Sequence, residues 1–241
     1  MRIAVISDVH GNWEALQAVW ADLSACEAEQ VYCLGDSVGY GPDPEEVLTF
    51  LRGQGVRSVL GNHELALVDP AYMDWFNPQA RKSLKRSKEL LSEGSLAYLA
   101  TLPPVLIQHG LRMVHGLPPK SVTTYLFEVS NGRLASAMAG VEEDICFVGH
   151  THELVLVRIA DGQVKYLGLG QERRQLANGT DWIVNIGSVG QPRDGDFAAK
   201  YALYDTASRE LEIRQVAYDP SETKRKIRER GLGEIYALRL G

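Results

Sequence analysis

The first 64 residues alternate short apolar runs with amphipathic segments, and this alternation constrains the fold more than any other feature. "RIAVIS" (2–7) and "VYCLGD" (31–36) are typical of buried strands, and "VRSVLGNHE" (56–64) predicts a third strand that runs into a polar turn. Residues 12–24 show helical periodicity, and residues 43–55 combine an acidic first turn with a glycine stop. The pattern favours a largely parallel sheet covered by helices.

The rest of the chain becomes rich in β-structure. Residues 78–100 predict two helices, and a hairpin follows at 105–116. A loop and a helix lead to the apolar strand "ICFVGH" (145–150). Beyond it we predict a hairpin at 154–168, three further strands of which the last two pair, and a basic terminal helix at 221–231 whose charges face solvent.

Length and composition indicate an ordinary globular protein. With 241 residues, 45% of them hydrophobic and 23% charged, the chain can bury a substantial core. We predict a single α/β domain over residues 1–241, with two packed sheets that join an antiparallel-rich half to a parallel-rich half. The net charge of −6 argues against bulk binding to nucleic acid or anionic membranes. It does not exclude an anionic substrate, because a metal site supplies local positive charge.

Cysteine usage and the N-terminal segment bear on the cellular compartment. Cys26, Cys33 and Cys146 are an odd number without a CxxC pair, so neither a zinc knuckle nor a disulfide framework is predicted. We expect Cys33 and Cys146 to pack as small buried hydrophobic residues. Asp8 follows too few apolar residues for a signal peptide, and no stretch approaches the roughly 18 apolar residues of a membrane span. The sequence therefore predicts a soluble, cytoplasmic protein.

Five apolar runs end in side chains that bind metals: Asp8 and His10; Asp36; Asn62 and His63; His115; and His150 and His152. The i, i+2 spacing of the first and last pairs directs both side chains to one side of an extended chain. In open α/β sheets ligands bind outside the carboxyl ends of the strands, so we expect these side chains to meet. A polar turn explains any one position but not all of them together. Of the six histidines only His109, in a predicted hairpin turn, lies outside the pattern.

The make-up of this set indicates two metal ions. Two aspartates, four histidines and an asparagine exceed what a single tetrahedral zinc binds. The set suits two divalent ions about 3.5–4 Å apart with a bridging carboxylate. Mixed nitrogen and oxygen ligands without thiolate favour Mn, Fe, Zn, Co or Ni over Ca or a purely Mg site, and we expect Mn to support activity.

These motifs resemble the five blocks of the calcineurin-like metallophosphoesterase superfamily, namely "D-x-H" at 8–10, "GD" at 35–36, "GNHE" at 61–64, "H" at 115 and "GHTH" at 149–152. The segments "GDSVGYGPDP" (35–44) and "GSVGQPRDGD" (187–196) further resemble a bacterial subgroup of small cytoplasmic, phosphodiesterase-like members. The resemblance implies a four-layer α/β/β/α sandwich of two mixed β-sheets flanked by helices, which agrees with the strand pattern.

The resemblance also implies a division of the ligands. Asp8, His10 and His152 would bind one ion, and Asn62, His115 and His150 the other, with Asp36 as the bridge and His63 as a catalytic histidine that binds no metal. Two positions depart from the subgroup pattern, since Ile186 replaces a usual proline and Leu117 a usual small residue. Neither is a ligand, but we expect both to alter the pocket wall and hence substrate choice.

Such a centre predicts a phosphoesterase. A hydroxide between two divalent cations is a nucleophile near neutral pH, because metal binding lowers the pKa of water. It would attack phosphorus in line, without a covalent enzyme intermediate. His63 would protonate the leaving oxygen or donate a hydrogen bond to the phosphoryl group. The predicted substrate is a small phosphorylated molecule, such as a phosphodiester or a nucleotide.

Three further residues are candidate substrate contacts. The guanidinium of Arg193 matches phosphate oxygens, although an ion pair with Asp194 or Asp196 is the alternative. Asn12 and Tyr40 lie beside the metal-binding loops, and a helix-capping role is the alternative for Asn12.

Three other functions stay open at this point. The same site would serve a phosphomonoesterase or phosphoprotein phosphatase, and the same fold would serve a scaffold without catalysis. A metal-dependent hydrolase of amides or lactams is disfavoured by the order of the motifs and by the histidine of GNHE.

Overall fold

A computed structural model describes all 241 residues, Met1–Gly241. Its strands are β1 (Arg2–Ile6), β2 (Gln30–Cys33), β3 (Arg57–Ser58), β4 (Val105–Gln108), β5 (Leu111–Val114), β6 (Ile145–Val148), β7 (Leu154–Ala160), β8 (Gln163–Leu167), β9 (Arg174–Gln175), β10 (Asp181–Ile186), β11 (Ala199–Asp205) and β12 (Glu210–Val216). Its helices are α1 (Trp13–Ser24), α2 (Pro44–Gly53), α3 (Asn62–Val68), α4 (Pro78–Glu89), α5 (Glu93–Leu99), α6 (Asn131–Ala139), α7 (Ser221–Glu229) and α8 (Glu234–Leu238). Short 3-10 helices span Pro70–Trp75 and Leu126–Glu128.

The strands form two mixed six-stranded sheets, ordered β3-β2-β1-β11-β12-β9 and β4-β5-β6-β10-β7-β8. In the first sheet β1, β2 and β3 are parallel, and β11 pairs antiparallel with β1. In the second sheet β5, β6 and β10 are parallel, while the hairpins β4-β5 and β7-β8 are antiparallel. The predicted division into a parallel-rich and an antiparallel-rich half is therefore wrong. The C-terminal strands β11 and β12 complete the sheet that the N-terminal strands begin, so each sheet contains both kinds of pairing.

Alternating side chains along the strands produce four layers. In β1, Val5 packs between the two sheets while Ala4 packs against α1 and α2. In β6, Phe147 packs between the sheets while Cys146 packs toward α6. The 18 buried residues between the sheets come from both of them, and burial of each large apolar side chain contributes about 1.5–3 kcal/mol. The predicted α/β/β/α sandwich is confirmed.

The segment after β3 differs from its prediction as a strand and turn. Only Arg57–Ser58 pair as a strand, and "GNHE" begins helix α3. The Glu64 carboxylate accepts hydrogen bonds from the amide of Gly61 at 3.0 Å and from the amide of Asp36 at 2.8 Å. It thereby caps the helix and attaches it to the loop after β2. Asn62 and His63 consequently diverge as successive helical positions, about 100° apart, and not as alternate positions of a strand.

The C-terminal segment also departs from prediction. Helix α7 forms as expected, but the five-residue helix α8 follows it and was not predicted. Not all charges of α7 face solvent, because the Lys226 ammonium contacts Glu14 at 2.6 Å and the buried Asp43 at 2.8 Å. Arg230, just after α7, lies 3.1 Å from the same Asp43 carboxylate. These ion pairs attach the C-terminal helices to the loop between β2 and α2 and bring α8 next to Tyr40.

Two smaller expectations concern cysteines and membranes. Cys33 and Cys146 are buried and unpaired, as predicted, and Cys26 is half-buried and also free. None of the helices has both the length and the apolar character that crossing a lipid bilayer requires.

Candidate metal centre

The polar side chains that follow β1, β2, β5 and β6 meet those at the start of α3. All are buried except Asn62, which is half-buried. The set comprises Asp8, His10, Asp36, Asn62, His63, His115, His150 and His152. Every metal-binding and catalytic residue predicted from the sequence therefore lies in one cluster, and His109 lies apart at the β4-β5 turn.

The first group of possible ligands consists of Asp8, His10 and His152. The Nε2 atoms of His10 and His152 are 3.1 Å apart, and His152 Nε2 lies 3.2 Å from Asp8 Oδ1. That buried carboxylate oxygen has no hydrogen-bond partner in the protein. A buried polar atom is rarely left unpaired, so the converging lone pairs fit a bound cation.

The second group consists of Asn62, His115 and His150 together with Asp36. His115 Nε2 lies 3.0 Å from Asn62 Oδ1, 3.1 Å from His150 Nδ1 and 3.3 Å from Asp36 Oδ2. Imidazole nitrogen with amide and carboxylate oxygen is a donor set that suits a divalent transition metal.

Asp36 lies between the two groups. Its Oδ2 atom is 3.3 Å from His115 Nε2 and 3.8 Å from His10 Nε2, while its Oδ1 atom accepts a hydrogen bond from the amide of His63 at 2.8 Å. The carboxylate is thus held by the backbone on one side and offers one oxygen to both groups.

Backbone carbonyls orient the imidazoles. The ring nitrogens that contact them are His10 Nδ1 with Val38 (3.0 Å), His115 Nδ1 with Leu34 (2.8 Å), His152 Nδ1 with Gln191 (2.7 Å) and His150 Nε2 with Thr123 (3.2 Å). A carbonyl only accepts, so in each neutral ring this nitrogen donates and the other one offers its lone pair to the cluster.

The surroundings favour the protonation states that bind metals. Burial alone would raise the pKa of the Asp8 carboxyl, but its contacts with His152 and His10 hold that pKa well below its usual range. Burial lowers the pKa of His150 to about 3 and that of His152 to about 4. His115 differs, because the Asp36 carboxylate outweighs burial and raises its pKa to about 9. A metal ion at His115 would therefore displace a proton.

Backbone strain concentrates in the loops of the cluster. Asp8, His10, Asp36, His150 and His152 all have a positive φ, between 49° and 70°. This conformation is uncommon outside glycine and costs of order 1–3 kcal/mol per residue, although Asp and His tolerate it better than most. The tight turns aim polar side chains back over the ends of their own strands.

Gly149 permits the closest approach between these loops. A Cβ atom there would lie 2.1 Å from Ser7 Oγ and 2.6 Å from Asp8 Oδ2. Without a side chain, the loop after β6 moves close enough for the His150 amide to donate a hydrogen bond to Asp8 Oδ2 at 3.1 Å. Steric exclusion of any side chain therefore explains why the first residue of "GHTH" is glycine.

His63 lies at the border of the cluster. Its buried ring packs against Tyr40 (4.4 Å between ring centres), and its Nδ1 atom has no hydrogen-bond partner. Its Nε2 atom lies 3.9 Å from Asp36 Oδ2. A Cβ atom at Gly39 would lie 2.0 Å from His63 Nδ1, so this glycine makes room for the ring. The geometry permits either proton transfer or metal binding, since His10, Asp36 and His63 also form a possible ligand group.

The three predicted substrate contacts differ in their surroundings. The amide of Asn12 caps α1 at the Ala15 N–H, accepts from Thr223 and donates to Gly190 O and Tyr218 Oη. These bonds use all its donors and acceptors, so its capping role leaves no group for a substrate.

Arg193 and Tyr40, by contrast, border the cluster. The guanidinium carbon of Arg193 lies 5.9 Å from the ring centre of Tyr40, and the Tyr40 ring lies 4.6 Å from that of His10. Arg193 has no carboxylate within ion-pair distance, because Asp194 pairs with Lys200 at 2.9 Å instead. The alternative of an ion pair with Asp194 or Asp196 is therefore not realised.

Three residues at the site were not predicted: Glu64, Tyr236 and Arg239. Glu64 caps α3, and the Glu at the third helical position of "GNHE" is the sequence pattern that could have revealed it. Tyr236 stacks on Tyr40 at 4.7 Å, and Arg239 donates to Gln191 Oε1 at 3.3 Å, as does Arg193. No local pattern in the C-terminal segment indicates either contact.

Cavity size does not identify this site. A larger cavity, about 520 Å³, lies elsewhere and is lined by residues such as Trp20, Gln30 and Arg57. A cleft of about 110 Å³ adjoins the cluster, with Asn62 and His150 in its wall. Ile186 and Leu117 lie in the hydrophobic cores and do not line this cleft.

Comparison with known proteins agrees with the site. The profile of the calcineurin-like phosphoesterase superfamily domain matches residues 1–209. An uncharacterized protein of Methanocaldococcus jannaschii is 33% identical over 248 residues, which cover 99% of this chain and 96% of the relative. The crystal structure of a metallophosphoesterase from Sphaerobacter thermophilus superposes with a TM-score of 0.83 at 35% identity, covering 100% of this chain and 98% of that one.

A symmetrical bis(5'-nucleosyl)-tetraphosphatase of Aromatoleum aromaticum is 32% identical over 127 residues, or 49% of this chain and 45% of that enzyme. Fold, donor set and relatives together define a metal-dependent phosphoric ester hydrolase. The chain belongs to the calcineurin-like phosphoesterase superfamily.

Proposed function

We propose that this protein hydrolyses a phosphodiester or a nucleotide-type phosphate ester with the help of two divalent metal ions. The observation that carries the proposal is the position of Asp36, whose Oδ2 atom lies within 3.8 Å of histidine nitrogens from both ligand groups. When bound, the ions would neutralise phosphoryl charge and lower the pKa of the attacking water.

In this proposal Asp8, His10 and His152 hold one ion, Asn62, His115 and His150 hold the other, and Asp36 is shared. The distances within each group and the unpaired Asp8 Oδ1 support this division. Mn²⁺ is the proposed activating ion, because it accepts mixed nitrogen and oxygen ligands.

The chain's own residues would position the ester and manage its proton. The His63 ring, whose Nε2 atom faces the cluster at 3.9 Å from Asp36 Oδ2, would protonate the leaving oxygen. Arg193 and the neighbouring Arg239 would contact phosphate oxygens at the rim, since neither has a carboxylate partner and both reach Gln191 Oε1. The chain is similar to a bis(5'-nucleosyl)-tetraphosphatase over about half of its own length, and this similarity supports a nucleotide substrate.

A hydrolysis screen over nucleotide diesters, nucleotide monoesters and a phosphopeptide tests the proposal, with the products separated by chromatography because a diester yields a monoester and an alcohol and no free phosphate. Each substrate is incubated with chelator-treated protein and then with Mn²⁺ added back, and elemental analysis counts the bound metal. We expect two Mn²⁺ per chain and hydrolysis only with metal. One ion or fewer in fully active protein would refute the two-metal proposal, and release from the phosphopeptide alone would refute the substrate class.

Arg193→Ala is expected to raise KM for the preferred ester by about 10-fold or more, since a hydrogen bond to a charged group contributes about 1.5–3 kcal/mol. Metal content and kcat should change little, because Arg193 contacts no predicted ligand side chain. Steady-state kinetics checks this, with Arg133→Ala on the remote helix α6 as the matched control. An unchanged KM in Arg193→Ala would remove this residue from the proposed substrate contacts.

Two expectations about the whole chain also remain proposals. We propose that residues 1–241 form one domain, because the core between the sheets draws on strands from both ends of the chain. The three free cysteines fit the proposed reducing cytoplasm.

A further inference from the structure

An aromatic cleft adjoins the second ligand group. It is lined by Asn62, Tyr72, Trp75, Phe76, Thr123, Tyr125 and His150. Its volume of about 110 Å³ is several times the 10–15 Å³ that a single water needs. Two of the lining residues, Asn62 and His150, belong to the proposed metal ligands, so a group in this cleft lies directly beside the reacting phosphate.

The walls of the cleft are mostly aromatic. On one side the Tyr125 ring lies almost parallel to that of His150, at 3.7 Å and 17°, and Phe127 stacks on Tyr125 at 5.0 Å. On the other side Tyr72 and Trp75 are in contact, with ring centres 5.0 Å apart. A planar molecule matches such walls better than an aliphatic chain does.

Two rings are unusually exposed for their size, namely Trp75 in the lining and Phe127, which stacks on the lining residue Tyr125. Trp75 is 68% exposed and Phe127 is 67% exposed, whereas most large apolar side chains of this protein are buried. Trp75 lies in the 3-10 helix after α3, and Phe127 in the one before α6. Aromatic rings held in water at the mouth of a polar site are typical of ligand-binding surfaces.

The chemistry of the lining narrows the ligand class further. No Lys, Arg, Asp or Glu lines the cleft, so its lining suits an uncharged group. The phosphate of a bound substrate would lie at the end of the cleft formed by Asn62 and His150. The group in the cleft would then be the part of the substrate that is attached to this phosphate. Aromatic stacking binds any nucleobase, because each base has a π-face.

We propose that this cleft binds the nucleobase of the substrate, packed against the exposed ring of Trp75. This inference rests on the proposed function and specifies its substrate class as nucleotides. The cleft need not prefer one base over another, because stacking does not depend on the hydrogen-bonding groups at the edges of the base.

A binding experiment tests the cleft without relying on catalysis. Protein supplied with Mn²⁺ is titrated with AMP and with ribose 5-phosphate by calorimetry. We expect AMP to bind at least about 10-fold more tightly, as stacking of one base provides. Trp75→Ala should remove most of that preference, and since Trp75 is largely exposed its loss spares the core. Tyr166→Ala, which removes a half-exposed ring on β8, is the matched control and should keep it.

Kinetics separates this inference from the proposed function. The substrates are the methyl ester of AMP and the methyl ester of ribose 5-phosphate, because a nitrophenyl ester would place its own ring in the cleft. Trp75→Ala should raise KM about 10-fold for the first ester and leave the second unchanged. Metal-dependent hydrolysis of both esters without a base preference, or equal binding of AMP and ribose 5-phosphate, would overturn the cleft proposal alone. Preferred binding of AMP without hydrolysis of any ester would instead overturn the proposed function.

Discussion

Asp36→Asn is expected to weaken both metal sites, each by more than about 100-fold in affinity, and to abolish measurable phosphoesterase activity. Loss of an outer hydrogen-bond partner alone costs about 10–100-fold in metal affinity, and Asp36 offers its oxygen directly to both groups. Asparagine keeps the shape and can still accept the hydrogen bond from the His63 amide, so the fold should persist. Elemental analysis and competition with a chelator measure the two affinities.

His10→Ala provides the contrast for this experiment. Its Nε2 atom lies 3.1 Å from His152 Nε2 in the first group, so its loss should weaken mainly one site. Circular dichroism confirms that both variants are folded. If Asp36→Asn lost only one ion and bound the other with unchanged affinity, Asp36 would be a terminal ligand and not a bridge.

His63→Ala is expected to keep both metal ions and to lose at least about 10²-fold in kcat on an ester with a poorly stabilised alkoxide leaving group. The His63 ring is buried beside Tyr40 with its Nε2 atom at the border of the cluster, which suits a group that acts only while bonds to phosphorus rearrange. Single-turnover kinetics and metal analysis on the same preparation measure both quantities.

The leaving group serves as the control for His63. A nitrophenolate departs without a proton, so the loss in His63→Ala should shrink on a nitrophenyl ester. Equal losses on both esters would indicate that His63 stabilises phosphoryl charge. Loss of an ion would place His63 among the ligands, which its 3.9 Å distance from Asp36 also permits.

The sequence alone identified the cluster because its chemistry is local. Each of Asp8, Asp36, His115 and His150 directly follows a short apolar run, and parallel strands bring their carboxyl ends to one edge. The strand and helix pattern also predicted two packed sheets, because the periodicity of apolar side chains shows which face of each element is buried. The prediction of secondary structure failed where a tertiary contact decides the conformation, as at "GNHE". There the Glu64 carboxylate accepts hydrogen bonds from backbone amides of the distant loop after β2.

Only the tertiary structure decided what surrounds the ligands. Tyr236 contacts Tyr40 because Lys226 and Arg230 form ion pairs with the buried Asp43. Each of these three contacts joins residues that are nearly 200 positions apart in the sequence. The aromatic cleft likewise joins the segment after α3 to the loop before α6. Such contacts produce no periodic pattern in the sequence. They are ion pairs and packing contacts between segments that can be any distance apart along the chain. The sequence by itself therefore determined the metal-binding chemistry, and the folded chain determined the pocket in which a substrate would be recognised.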